Sequence, residues 1–276
     1  MIRSLLIIVF LSVLSSTAQA GKIRALIVDG QNRHHKWEKT TPVIKKILED
    51  TGRFEVTVLT SPGWKDPKDA WQKFTIDYDS VDVILLNYWG PDWPKAVWEG
   101  FEAFVKEGGG VVPIHSAIAG FGGKPLFHKM CGVGWRGGPN SGRYLFVDAD
   151  GKIQIQEKGE GEGSVGHSHR HAYPITIHNP DHPIVAGMGS PWKHAKDEMY
   201  HRLRGPAEDM VLLGTALSPQ TKVHEPMMWA IPIEKSRSFV TTLGHDVEAM
   251  SSEGFRVTLA RGAEWAATGK VAKEAP

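Results

Sequence analysis

The chain has 276 residues, of which 41% are hydrophobic and 23% are charged, and a formal net charge of +1. This length is sufficient for one large domain with a well-buried core. The near balance of charges, without a Lys/Arg cluster, argues against a nucleic-acid-binding surface. The single cysteine, Cys131, excludes an internal disulfide, and no strand-to-helix turn surrounds it, which favours a buried thiol over a nucleophile.

Residues 1–20 have the pattern of a cleavable secretory signal. Arg3 precedes an apolar run over residues 5–14, and small residues end at Ala20. A membrane anchor is the alternative, but the run is short for a bilayer span and no second hydrophobic segment follows. We therefore expect cleavage near Ala20, a periplasmic or secreted protein without stable membrane insertion, and one mature domain over residues 21–276.

The mature part begins with alternating strands and helices, which is typical of a doubly wound α/β sheet. Residues 23–28 and 81–86 are short apolar runs, as expected for central strands buried on both faces. Helical spacing of apolar residues predicts a helix capped by Thr41, with Pro42 at its first position, and a second helix from Val97. Further strands are predicted over residues 54–58, 111–114, 210–215 and 238–243, and a C-terminal helix over the segment that contains Phe255, Leu259 and Trp265.

The middle of the chain differs in composition from the two ends. Residues 120–142 are rich in glycine and are predicted to form a long loop. Residues 144–147 and 152–157 flank a turn sequence, which predicts a β-hairpin insertion. Two further β segments are expected over residues 172–177 and 199–203. No repeat or linker divides the chain into separate domains.

Polar and aromatic side chains follow the predicted strands at the point where each strand ends. The residues concerned are Asp29, His34, Trp37, Asn87, Trp89, His115 and His245. In an open parallel sheet the ligand lies beyond the carboxyl ends of the strands. We therefore expect these side chains to converge on one rim, which is the candidate active site.

His115 occupies a predicted strand-to-helix turn, where several α/β enzymes place their nucleophile. An imidazole at this turn can act as a general base, a general acid or a metal ligand, whereas Ser116 is suited to cap the helix. The alternative is a structural histidine that is hydrogen-bonded at the sheet edge. We favour the functional interpretation because strand ends are preferred sites.

Three of the thirteen histidines, His167, His169 and His171, are spaced by two residues. On an extended segment their rings project to one side and form half of a site for zinc or a similar divalent metal. Further ligands can come from Glu198, His201 or His245. The alternative is a solvated polar stretch after the glycine-rich segment.

Glu198 and Tyr200 face the same side if residues 197–201 form a strand, and together they can bind or protonate a hydroxylated ligand. A polar outer face of an edge strand explains them equally well. Trp37 and Trp89 lie near the predicted rim, and their flat apolar faces suit sugar rings. Core packing is the alternative for any single tryptophan.

Several segments in a fixed order carry a family resemblance. They are the opening strand with His34 and Trp37, residues 108–117, residues 179–184, residues 197–201, Gly244 with His245, and residues 259–267. Together they resemble the ThuA-like (trehalose utilisation) family of the class I glutamine amidotransferase-like superfamily. This resemblance implies a flavodoxin-like, mainly parallel sheet with helices on both faces, and a role in the catabolism of sugars, particularly disaccharides oxidised to 3-keto derivatives.

The residues and the resemblance together predict an exported carbohydrate-processing enzyme, a hydrolase or lyase that acts on a keto-sugar or glycoside by acid–base chemistry, with or without a divalent metal. The catalytic candidates are His115, Glu198 and His245, and the substrate-binding candidates are Asp29, His34, Trp37, Asn87, Trp89 and Tyr200. Amidotransferases of this fold carry a cysteine at the position of His115, so glutamine hydrolysis through a thioester is not expected. The alternatives are a non-catalytic sugar-binding module and an amidotransferase-like subunit that uses Cys131 with a partner chain.

Overall fold

The structure is a computed structural model that describes residues 21–32 and 35–272. The predicted signal over residues 1–20 and the predicted site residue His34 lie outside the described residues.

The described residues form a mixed α/β fold. Its strands are β1 (Ile23–Asp29), β2 (Phe54–Thr60), β3 (Val83–Leu86), β4 (Gly110–Pro113), β5 (Arg143–Val147), β6 (Ile153–Gln156), β7 (Gly166–His167), β8 (Pro174–Ile177), β9 (Trp192–Lys193), β10 (Tyr200–His201), β11 (Arg204–Gly205), β12 (Val211–Leu217), β13 (His224–Ile233) and β14 (Ser236–Thr241). Its α-helices are α1 (Trp37–Glu49), α2 (Lys68–Lys73), α3 (Lys95–Glu107), α4 (Pro125–Cys131) and α5 (Glu253–Thr268).

The main sheet has the strand order β2-β1-β3-β4-β14-β13-β12-β8-β9. The first part, from β2 to β14, is parallel throughout, whereas β13, β12 and β8 continue the sheet in antiparallel fashion. The parallel part has the order of a flavodoxin-like fold, with β14 as its last strand. The prediction of a doubly wound, mainly parallel sheet is therefore confirmed.

Helices cover both faces of the parallel strands. On β1, Ile27 belongs to the apolar cluster that contains Ile44 of α1 and Leu259 of α5, while Val28 belongs to the cluster that contains Phe101 of α3. Successive residues of a strand point to opposite faces, so both faces of β1 are buried. This double burial explains why the central strands are continuous apolar runs.

Helix α1 begins at Trp37, so the prediction that it starts at Thr41 and Pro42 is wrong. The hydroxyl groups of Thr40 and Thr41 do not cap the helix, because each accepts a hydrogen bond from Asn87 Nδ2 at 2.9 Å. Pro42 is accommodated within the helix. These contacts attach the start of α1 to the end of β3.

The segment between β4 and β12 contributes β8 and β9 to the main sheet and pairs β5 with β13. Its strands β7 and β10 form a separate two-stranded sheet. The segment also contains the predicted hairpin, as the antiparallel pair β5 and β6. The predicted loop over residues 120–142 is interrupted by α4, whose Phe127 and Met130 are buried. The strand predicted over residues 199–203 is shorter than expected, because Arg202 has a φ of 55° that turns the chain between β10 and β11.

None of the helices in the described residues has the length and hydrophobicity needed to cross a bilayer.

Candidate active site

The chain turns sharply after β4 into a short 3-10 helix, His115–Ala119, and His115 has a φ of 50° at this turn. Positive φ is uncommon outside glycine and concentrates at functional sites. Ser116 does not cap this helix; its hydroxyl instead accepts a hydrogen bond from Asn32 Nδ2 at 2.7 Å. The structure therefore places a histidine at the position predicted for it.

The ring of His115 is held on both sides. Its Nδ1 lies 2.5 Å from the carbonyl oxygen of Thr242, which can only accept, so Nδ1 carries the proton. In the neutral ring Nε2 is then an acceptor, and the hydroxyl of Tyr200 donates to it at 2.9 Å. His115 is only 3% exposed and lies behind Tyr200, so it reaches the cavity through the phenol.

Tyr200 lines the cavity although it is largely buried. Burial, followed by the negative charges of Glu198 and Asp197, raises the pKa of Tyr200 well above its ordinary value. The phenol therefore keeps its proton at neutral pH and can give or relay it.

Three imidazoles meet beside this pair. The ring centroid of His35 lies 4.6 Å from that of His115 and 4.5 Å from that of His245, both in edge-to-face contact. His35 follows β1, His115 follows β4 and His245 follows β14, so the predicted convergence of strand ends occurs. Burial, followed by the proximity of His115 and His245, lowers the pKa of His35 to about 2, and this ring is neutral.

Glu198 projects between the histidines. Its Oε1 lies 3.2 Å from His245 Nε2 and 3.5 Å from His167 Nδ1, and its Oε2 lies 3.6 Å from His115 Nε2. Burial acts to raise the pKa of Glu198, but its interactions with the protonated forms of His115 and His245 outweigh burial and hold the pKa below its ordinary value. Burial acts to lower the pKa of His245, and the Glu198 carboxylate more than offsets this, so the pKa of His245 is raised.

Asp197 lies beneath the site and is fully buried. Its carboxylate accepts hydrogen bonds from the backbone N–H groups of Glu198 at 2.8 Å, Gly244 at 2.7 Å and His245 at 3.1 Å. His194 Nε2 is a further neighbour at 2.8 Å. Burial acts to raise the pKa of Asp197, but these donors keep the pKa below its ordinary value, and the carboxylate is ionised.

These residues surround a cavity of about 400 Å³, which is within the range of small-molecule sites. The lining residues are His35, Trp89, Ser116, Ala119, Trp135, His167, Glu198, Tyr200 and His245. The lining combines aromatic rings with a carboxylate and imidazoles. This combination suits a ring with an apolar face and several hydroxyl groups.

Several predicted site residues meet at this cavity and others do not. His115, Glu198, His245, Tyr200, Trp89 and His167 line it or contact residues that do. The buried Asn87 donates hydrogen bonds to the hydroxyl groups of Thr40 and Thr41 in α1. The buried Asp29 contacts Thr41 and Thr60. Both residues therefore hold α1 in place. Burial raises the pKa of Asp29. Trp37 is half-buried at the start of α1 and is not among the lining residues.

The predicted histidine cluster is not assembled as a unit. Strand β7 ends at His167, and the chain then leaves the extended conformation, so the three rings do not share one side. His169 is exposed, and His171 Nδ1 donates to the His169 carbonyl oxygen at 2.8 Å. His201 is buried against Gly166 on the far side of β10 from Tyr200. Among the described residues, the group that can hold a metal ion is His35, Glu198 and His245, whose donor atoms lie within 4.8 Å of one another.

Sequence reasoning missed three residues of the site. His35 is adjacent to the predicted His34, Trp135 lies in the glycine-rich segment, and Asp197 directly precedes Glu198. The signal for His35 was present, because two consecutive histidines follow β1. Trp135 has no local signal, because its position depends on the pairing of the neighbouring Gly134 with Arg204, which is distant in the sequence.

Cys131 lies in α4 and is fully buried, not at the turn after β4. Burial raises the pKa of its thiol to about 12, so no thiolate forms at neutral pH. A glutaminase nucleophile needs an accessible thiolate at the strand-to-helix turn, and here that turn holds His115.

The sheet order and the occupied turn after β4 define a class I glutamine amidotransferase-like domain without the nucleophilic cysteine. The family model for ThuA, described as trehalose utilisation, matches residues 24–266, and the chain belongs to this family.

Solved structures agree with this assignment. A ThuA-like protein from Parabacteroides merdae is 38% identical over 92% of this chain and 93% of its own, with a TM-score of 0.84. A ThuA-like protein from Bacteroides uniformis is 17% identical over 94% of this chain and 98% of its own, with a TM-score of 0.61, and shows the fold alone. The same holds for a cytoplasmic protein from Salmonella typhimurium, at 12% identity over 89% and 99% of the two chains and a TM-score of 0.53. No curated protein is significantly similar to the chain.

Proposed function

We propose that the protein is an exported enzyme that cleaves a keto-sugar glycoside, most directly a 3-keto-glycoside of the kind formed in disaccharide catabolism. The observation that carries this proposal is the Tyr200–His115 hydrogen bond, which connects a proton-relay pair to a cavity lined by Trp89 and Trp135. The family description, trehalose utilisation, supports a disaccharide substrate.

The chemistry follows from the keto group. A carbonyl at C3 acidifies the C2–H bond, so a base can remove that proton and form an enolate. The enolate electrons then form a C1=C2 double bond as the C1–O bond breaks, and the leaving oxygen takes up a proton. Addition of water to the unsaturated product completes hydrolysis, whereas release of that product makes the enzyme a lyase.

The site offers a group for each proton transfer. Tyr200 Oη takes the C2 proton while its own proton passes to His115 Nε2, so the phenol never carries a full negative charge in the buried site. His245, with its raised pKa and its contact with the ionised Glu198, is the proton donor for the leaving oxygen. General acid–base steps of this kind contribute a factor of about 10² to 10⁴ in rate.

The test is turnover of 3-keto-trehalose and related 3-keto-glycosides by the purified protein, followed by release of glucose. We expect turnover of the 3-keto substrate and none of unmodified trehalose, because only the ketone acidifies C2–H. Equal rates on both substrates, or no turnover of either, contradict the proposal. Export is tested separately, since N-terminal sequencing of the protein from the periplasm or medium should begin near Gly21.

A second candidate, a sugar-binding module without chemistry, is favoured by the burial of His115 behind Tyr200. Binding requires Trp89, Trp135 and hydrogen-bonding groups but no proton relay. Calorimetric titration of the His115→Ala variant with the keto-disaccharide distinguishes the two. A module binds without turnover in both the wild-type and variant forms, whereas an enzyme turns the sugar over only in the wild-type form.

A further inference from the structure

We propose that His35, Glu198 and His245 bind one divalent transition-metal ion of the Zn²⁺ class at the wall of the cavity. The binding of the ion stands on the geometry of these residues, while its catalytic role rests on the proposed function.

The three side chains already lie close to a coordinating arrangement. One donor atom from each lies within 4.8 Å of the other two. A tetrahedral ion with ligand bonds of about 2.1 Å separates its ligand atoms by about 3.4 Å. Small side-chain movements therefore suffice to bring the donors to bonding distance, without a change in the backbone.

The donors come from three separate segments that the fold fixes in place. His35 follows β1 and packs edge-to-face against His115 and His245. The backbone N–H groups of Glu198 and His245 both bond to the buried Asp197 carboxylate. Contacts behind the ligands orient metal sites and contribute to their affinity.

The chemistry of the donor set selects the class of ion. Two imidazoles and one carboxylate form the ligand set of catalytic zinc sites and of the facial triad of non-haem iron sites. Mg²⁺ and Ca²⁺ prefer oxygen ligands, so two histidines disfavour them. First-row ions such as Zn²⁺ and Co²⁺ fit the set.

The position of the site leaves part of the ion accessible. All three ligands line the cavity, as do Tyr200 and Trp135. A site with three protein ligands and an open face keeps a position for water or substrate, as catalytic sites do. A bound ion would take the place of the proton on His245 and would act as a Lewis acid toward the leaving oxygen, which would then take its proton from solvent water.

The test uses the purified protein, freed of metal with a chelator, and titration with ZnCl₂ followed by calorimetry. We expect one equivalent to bind, and His35→Ala, Glu198→Gln and His245→Ala each to weaken binding at least 100-fold. The matched control is His169→Ala, which removes an exposed histidine from the predicted cluster and should leave binding unchanged. The absorbance of bound Co²⁺ reports the coordination number, and three protein ligands predict a four- or five-coordinate spectrum.

Absence of stoichiometric binding overturns the site, and so does binding that survives all three ligand substitutions. Loss of binding in His169→Ala places the ion at the exposed histidines and also contradicts it. Binding is measured without sugar, so its failure is separate from failure of the proposed reaction. If the protein binds Zn²⁺ but turns over no keto-glycoside, the metal site is supported and the proposed function is contradicted. If it turns over the keto-glycoside but binds no Zn²⁺, the proposed function is supported and the metal site is contradicted.

Discussion

Asp197 positions His245 through the backbone, because its carboxylate accepts the His245 N–H at 3.1 Å although 48 positions separate the two residues in sequence. The same carboxylate accepts the N–H of Glu198 at 2.8 Å. One buried anion therefore sets the relative position of two site residues that come from different segments of the chain. Neither contact uses the functional side chain of His245 or Glu198, so both remain available to the cavity.

Asp197→Asn should lower both stability and activity. The amide presents N–H donors where the backbone already supplies donors, and it removes the buried charge that faces His194. Breaking a buried charged network of this kind costs about 3 kcal/mol. Urea unfolding measures the loss, and the Zn²⁺ titration should show about 10-fold weaker binding because His245 and Glu198 are less well positioned. The exposed Asp150→Asn control should change stability by less than about 0.5 kcal/mol.

Tyr200→Phe should lower kcat on the keto-glycoside by a factor of about 100 to 10,000 with little change in KM. The substitution removes the hydroxyl that donates to His115 and keeps the ring that contacts Trp135. Steady-state kinetics measures the change in kcat separately from the change in KM. An increase in KM with unchanged kcat assigns Tyr200 to ground-state binding and contradicts the proton relay.

His115→Ala should abolish turnover, and added imidazole should restore part of it. His115 acts through Tyr200, so its loss removes the acceptor for the phenol proton and leaves a space the size of the missing ring. Free imidazole in that space can take the same proton. Recovery of kcat that saturates with imidazole is expected for a relay, whereas no recovery in a variant with a wild-type thermal midpoint assigns His115 a purely structural role.

The parallel half of the fold could be predicted from sequence because its signals are local. Residues 23–28 and 81–86 are continuous apolar runs, and strands buried on both faces require such runs. Strand β13 (His224–Ile233) was missed although it is also apolar, because Pro226 and Pro232 interrupt it and proline argues against a central strand. Here tertiary pairing with β12 and β14 overrides that local preference.

The site was predictable in outline but not residue by residue. Strand order brings the ends of β1, β4 and β14 together, which places His115 and His245 near each other. Polar residues at strand ends can equally have a structural role. Asn87 has such a role, because it donates hydrogen bonds to Thr40 and Thr41 of α1. Which histidine of an adjacent pair enters the cavity depends on the backbone of the turn, and this information is not contained in residue spacing.

The stability of the protein should fall between about pH 4.5 and pH 7 because of Glu225, which is buried outside the site. Burial raises its pKa to about 7 from an ordinary value of 4.5, although Tyr144 and Thr221 donate hydrogen bonds to the carboxylate. A folded-state pKa above the unfolded value means that this group stabilises the fold fully below pH 4.5 and loses that contribution as the pH rises through about 7.

The expected size of this effect is about 3 kcal/mol, from the shift between the two pKa values. Glu225→Gln resembles the protonated form at every pH, so its stability relative to wild type should increase between pH 5 and pH 8. Urea unfolding at both pH values measures the difference. The exposed Glu162→Gln variant should follow the wild-type profile, and parallel profiles for Glu225→Gln and wild type would show that Glu225 does not titrate in this range.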